Sequence, residues 1–201
     1  EVVVGVLENE CRTLNKRFFC LHENHRPYVI LKWAQTADGY IDIERTSGKP
    51  ITISTPLTKQ IVHQQRAENM AIMVGTRTVL LDNPRLLTTH WSGRNPIRIT
   101  LDRHGLIPAD SKLFSKDAHT IVYRENTDWQ FVLEDLAKKN IHSILVEGGA
   151  TLLNHIIQSG IYDEVHVEVG DEYIGNGVVA PKYILKSTPK KIDSHWVFIE
   201  S

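Results

Sequence analysis

From Tyr28 to the end of the chain, short runs of aliphatic and β-branched residues alternate with segments whose apolar residues recur at helical spacing. That alternation constrains the fold more than any other feature. Parallel strands need a long crossover between them, and a helix packed on the sheet is its usual form. The pattern predicts strands over Tyr28–Ala34, Ala71–Val74, Ile97–Leu101, His119–Tyr123, Ser143–Glu147 and Glu164–Val169. It predicts helices over Pro56–Arg66, Asp128–Lys139 and Thr151–Ser159. Pro56 suits a first helical turn behind a Ser54 or Thr55 cap, and Gly160 suits a stop. Trp129, Val132, Leu133 and Leu136 share one helical face and read as core. A last strand, His195–Ile199, is expected to pair antiparallel at an edge. The expected class is therefore α/β, with a mostly parallel central sheet, helices on both faces and an antiparallel edge.

Composition narrows the function classes. A length of 201 residues suits one good core, and a formal net charge of -1 offers no basic field for nucleic acid or anionic lipid. The longest apolar stretch is Val2–Leu7, and that only if Gly5 is allowed, so no segment reads as a bilayer span. The start is acidic and apolar with no basic n-region, and Cys11 and Cys20 are too few for a disulfide framework; a cytoplasmic protein is expected. The chain opens on Glu1 rather than Met, which suggests a piece of a longer protein. Residues 1–25 read as the end of something upstream. The polar stretch His22–Pro27 then reads as a linker, because Pro27 disfavours helix at Arg26. The main domain is expected over 26–201.

The segment richest in chemistry is Ser143–Leu153. A buried strand ends in Glu147, Gly148 and Gly149 make the turn, and a helix starts at once. Glycines let backbone N–H groups approach a ligand, and a helix N-terminus favours phosphate. The plainer reading is a tight turn with a solvated glutamate. A second strand ends at Gly75, after which Thr78 can present a hydroxyl at a helix start and Asp82 can cap or accept from a ribose; Asp82-Asn83-Pro84 is also an ordinary turn. Cys20-x-His22-x-x-His25 fits no structural zinc spacing, so no metal is expected. The zinc-deaminase signature is absent, so this chain is not expected to deaminate. His63 and His155 read as packing or surface residues.

Five ordered motifs carry a resemblance: Leu31–Gly39, Gln65-Arg66-Ala67, Val74–Leu86, Pro96–Asp102 and Val146–Gly149. Together they resemble the reductase domain of the bifunctional diaminohydroxyphosphoribosylaminopyrimidine deaminase/reductase of riboflavin biosynthesis. Gly5–Glu8, Cys11, Leu14-Asn15 and Phe18-Phe19 resemble the last turns of its deaminase domain, so a zinc deaminase fused upstream is implied. The resemblance implies a dihydrofolate-reductase-like fold, NADPH as cofactor, a phosphoribosylaminopyrimidine as small-molecule substrate, and a homodimer. The reaction implied is hydride transfer to the first ribosyl carbon, turning ribosylamino into ribitylamino.

Carried over by position, Ala34, Thr52, Thr78, Asp82, Arg103, Gly149, Ala150, Thr151 and Leu152 are the implied cofactor positions, with Arg103 at the 2′-phosphate. Lys32, Pro50, Arg66, Leu86, Thr89 and Glu147 are the implied substrate positions, Lys32 and Glu147 being the implied catalytic pair. Arg66 is taken as a phosphate ligand, against a surface arginine complementing its helix dipole. Lys32 and Glu147 end strands expected to be neighbours, and a mutual salt bridge is the alternative to a role on the sugar. The sequence departs from the family at three places. Pro50 stands for a serine, Thr52 for a tryptophan and Thr89 for an arginine; the loop Tyr40–Ser47 also reads as about two residues longer. Two other functions stay open: a folate reductase, disfavoured because Pro56–Arg66 holds no acid, and a cofactor-binding or dimerisation module without turnover.

Overall fold

The computed structural model describes residues 2–46 and 48–201; Ser47, one end of the expected longer loop, lies outside them. Its elements run α1 (Glu8–Leu14), α2 (Lys16–Asn24), β1 (Tyr28–Gln35), β2 (Tyr40–Asp42), α3 (Pro56–Glu68), β3 (Ala71–Gly75), α4 (Thr76–Asp82) and β4 (Ile97–Leu101). The chain continues through β5 (Thr120–Tyr123), α5 (Trp129–Lys138), β6 (Ser143–Val146), α6 (Ala150–Ser159), β7 (Glu164–Val169), β8 (Val178–Val179), β9 (Lys190–Ile192) and β10 (His195–Glu200).

Among the described residues one eight-stranded sheet has the order β5-β4-β3-β6-β1-β7-β10-β9, and β2 and β8 form a small second sheet. The strands from β5 to β7 pair parallel, while β10 pairs antiparallel with both β7 and β9. The expected α/β class holds. The last strand is not the edge, however, because β9 covers it. Lys190 and Lys191, both exposed, blunt that outer edge.

Local chemistry explains the helices. Thr55 caps α3, its Oγ1 accepting from the Thr58 N–H at 3.2 Å, and Pro56 follows where an N–H would be orphaned anyway. Asp128 caps α5 by accepting from the Phe131 N–H at 3.0 Å. The α5 face of Trp129, Val132, Leu133 and Leu136 is buried as its spacing requires, in a core with Val29, Leu31, Met73 and Ile144. Gly160, at φ 69°, ends α6.

The stretch His22–Pro27 is not irregular throughout. Its start is the last turn of α2, and His25 takes the left-handed cap at φ 54°. Cys20 is buried against Tyr28, Ile30 and Leu145, which a polar reading of this segment missed. Among the described residues no helix is long and apolar enough to cross a membrane.

Candidate active site

Parallel sheets expose ligand-binding loops at the carboxyl ends of their strands, and here those ends open on a cleft of about 1130 Å³. The ends of β1, β3, β4 and β6 reach it, with α3, α4, α6 and the 41–54 loop as walls. Of the expected cofactor positions, Ala34, Thr52, Thr78, Asp82, Arg103 and Gly149 through Leu152 all line it. Of the substrate positions, Lys32, Pro50, Arg66 and Glu147 do. Leu86 and Thr89 are not among the lining residues. Leu86 is packed with Ile72, Val74 and Val79, and Thr89 is exposed, its N–H donating to His63 Nδ1 at 3.0 Å.

The turn at the end of β6 fits a dinucleotide's phosphates. Gly148 and Gly149 have φ of 125° and 81°, which side chains rarely adopt. A Cβ at Gly148 would meet nothing within 4 Å, whereas one at Gly149 would come 3.1 Å from Thr78 Oγ1. Behind them α6 begins with no side-chain cap, so its first backbone N–H groups stay available to an anion. Arg103 lies at the far side, exposed just past β4.

The sheet end carries the charges. Arg66 Nε donates to Glu147 Oε1 at 2.8 Å and its NH2 to Glu147 Oε2 at 2.5 Å, while NH1 donates to the Leu87 carbonyl at 3.1 Å. Both side chains are nearly buried, at 16% and 10% exposure. Glu147 is therefore held in a planar two-point grip by Arg66 rather than bridged to Lys32. Burial pushes the Glu147 carboxyl up, but Arg66 and then Lys32 outweigh it and hold it below the usual carboxylate range. Burial lowers Lys32 below the ordinary lysine range, although Glu147 and Glu168 pull it back. The strands are neighbours, with Leu31 opposite Val146, but only Glu147 stands at a strand end; Lys32 lies within β1, which runs on to Gln35.

Two further features were invisible in the sequence. Asp82, expected at the cofactor, pairs with Arg45, which also donates to Asp42 Oδ2 at 2.7 Å and so ties the 42–45 loop to the end of α4. His63 is buried and faces the cleft beside Arg66; burial, first of all, lowers it to about 4. It is neutral at ordinary pH, and since Nδ1 accepts from Thr89, Nε2 carries the proton. The extended α3 does include an acid, Glu68, but it is exposed, accepts from Gln64 and does not line the cleft. The argument against a pteridine-protonating acid on this helix is unchanged.

Sheet order, cleft position and glycine turn define an α/β protein of the dihydrofolate-reductase type. The structure is similar to dihydrofolate reductase from Enterococcus faecalis complexed with NADP(H), with a TM-score of 0.57 at 14% identity over 86% of this chain and 97% of that one, a likeness of fold alone. Within that type, the chain belongs to the RibD C-terminal domain family, whose sequence model matches residues 27–197. It is 33% identical to the riboflavin biosynthesis protein RibD of Actinobacillus pleuropneumoniae over 87% of this chain and 53% of that protein. It is 31% identical to the 2,5-diamino-6-ribosylamino-4(3H)-pyrimidinone 5′-phosphate reductase of Archaeoglobus fulgidus, over 75% of this chain and 83% of that one. The deaminase/reductase structure from Thermotoga maritima matches 99% of this chain and 63% of its own, with a TM-score of 0.86 at 29% identity. The chain thus spans about half the length of several curated relatives it matches.

Proposed function

We propose that this chain is a reductase of riboflavin biosynthesis, converting 5-amino-6-(5-phosphoribosylamino)uracil to its ribitylamino counterpart with NADPH. The observation that carries this reading is the single cleft in which an uncapped α6 behind two glycines faces the Lys32, Glu147 and Arg66 group. NADPH, when bound, supplies the hydride to the first ribosyl carbon. Gly149 through Leu152 and Thr78 would hold its phosphates, and Arg103 its 2′-phosphate through a charge-assisted pair. Asp82, engaged by Arg45, contributes by fixing the wall of the cleft.

Arg66 has donors left over after Glu147 and Leu87, so it can hold Glu147 and still reach the sugar phosphate. Glu147 orients the sugar hydroxyls from its fixed position. Reduction opens the ring, so the ring oxygen must gain a proton as the carbon gains hydride; Lys32, nearly buried in the wall of the cleft, is the group assigned to that oxygen. The chain's partner is then a small phosphorylated substrate. The relatives' remaining length agrees with a deaminase unit upstream in the full protein, and the reading includes a homodimer in the cytoplasm.

The test is NADPH oxidation by the purified chain with the phosphoribosylaminopyrimidine. Turnover with a clear preference for NADPH over NADH is expected, and Arg103→Ala should weaken that preference by about 1.5–3 kcal/mol. Cofactor binding without any turnover would leave the module reading in its place.

A further inference from the structure

Lys32 has carboxylates on both sides. Toward the cleft stands Glu147; on β7 stands Glu168, its Oε2 4.0 Å from Lys32 Nζ. Glu168 is 3% exposed. In parallel register Lys32 aligns with His166 and Ala34 with Glu168, so Lys32, His166 and Glu168 occupy one face of the sheet beneath α3. A buried carboxylate is unfavourable unless its oxygens are satisfied. Here Ser54 Oγ donates to Oε2 at 2.6 Å and His195 Nδ1 bonds Oε1 at 2.7 Å. His195 is itself 1% exposed, so this hub ties β1, the loop before α3, β7 and β10 together behind the catalytic lysine.

We propose that Glu168 is a positioning residue for the reductase: with Ser54 and His195 it anchors the Lys32 ammonium from the buried side and keeps it charged. This rests on the reductase reading for its functional half only. The groups facing Lys32 are Glu147 from the end of β6, Arg66 from α3 and, from β7, Glu168 together with His166, which is itself engaged by Gln65 and Glu164. Those around Glu168 are Lys32, Ser54, Thr58 and His195, with Asp171 Oδ1 3.7 Å from His195 Nε2. Glu147 is gripped by Arg66, which leaves Glu168 as the carboxylate beside Lys32 that no arginine pairs with among the described residues. Burial acts on Lys32 in the opposite direction, so removing Glu168 should let the ammonium lose its proton at lower pH.

The experiment is a titration of the Lys32 Cε resonance in protein carrying ¹³C-lysine, assigned by its loss in K32M. In E168Q the midpoint should fall by about one pH unit or more, and the alkaline limb of the kcat profile should fall with it. NADPH affinity should stay within about two-fold, because Glu168 is not among the residues lining the cleft. If E168Q does not fold, E168D takes its place; it keeps the charge but withdraws it, and its midpoint should lie below the wild type's. A midpoint that superposes on the wild type's in whichever variant folds overturns the proposal, as does a limb that fails to follow a shifted midpoint. Failure of the reductase reading looks different: the wild type would not turn over, and the resonance would still report whether Glu168 holds Lys32.

Discussion

Arg66→Ala is the perturbation that reads the most from this cleft. The substitution removes both hydrogen bonds to Glu147 and the one to the Leu87 carbonyl. With Arg66 and Glu147 at 16% and 10% exposure, solvent can replace little of what is lost. Breaking a buried pair from one side costs about 3–5 kcal/mol, and the lower end applies because Lys32 still stands beside Glu147. For a chain of this length that is a fall in Tm of roughly 6–12 °C near neutral pH. The sign of the pH dependence follows from Glu147. In the wild type Arg66 holds its pKa below the unfolded value, so its stabilisation is present above that value and lost as pH falls through the folded pKa. In the variant burial goes largely uncountered, the folded pKa rises, and protonation relieves the fold instead. The Tm deficit should therefore narrow below about pH 5. Calorimetry of both proteins at neutral pH and at about pH 4.5 measures it. Kinetics should agree: a phosphate ligand alone would raise KM, but Arg66 also aims Glu147, so kcat should drop about ten-fold as well. An equal deficit at both pH values, or a pure KM effect, refutes the coupling.

Two further outcomes follow from the site and the sheet edge. Gly149→Val should abolish NADPH binding, since the residue sits at φ 81° and its Cβ would already press Thr78 Oγ1 at 3.1 Å; calorimetric titration retaining micromolar binding would put the phosphates elsewhere. Light scattering should give a dimer mass, with β10, whose Trp196 and Ile199 are half-exposed on opposite faces, near the surface to be covered; a monomer at high concentration would remove the dimer from the reading.

The strands β1, β3 and β6 were legible because buried parallel strands are largely apolar on both faces and bounded by turn residues, and β4 and β7 from apolar residues at every second position. Helix α5 was legible from a single face of four large residues. Helix α2 was not, because only Cys20 and Leu21 are buried in it and the rest of its surface is polar. Strand β9 is three residues with two lysines, too short and too charged to read as a sheet edge, and missing it misplaced the edge at β10. At the site, the adjacency of Lys32 and Glu147 could be argued from strand neighbours alone. That α3 lays Arg66 directly on Glu147 could not, since periodicity gives a helix its buried face but not its height above the sheet. Glu168 was hidden for a related reason: alternation within β7 presents it as one more polar position, and only β10 and the loop before α3 make it a buried hub.

The register of β1 also sets a timetable for synthesis. Its hydrogen-bonding neighbours are β6 and β7, with Tyr28 opposite Ser143 and Ile30 opposite Glu164, so no part of its pairing can be made by the first half of the chain. At about 5–20 residues per second on the ribosome, Val29, Leu31 and Trp33 wait on the order of ten seconds for their partners. During that interval an apolar, strand-forming segment stands unpaired on the nascent chain, open to chaperones and to other copies of itself. A premature stop before Ser143 would prolong the wait indefinitely, and the expected product is an aggregate rather than a smaller soluble domain.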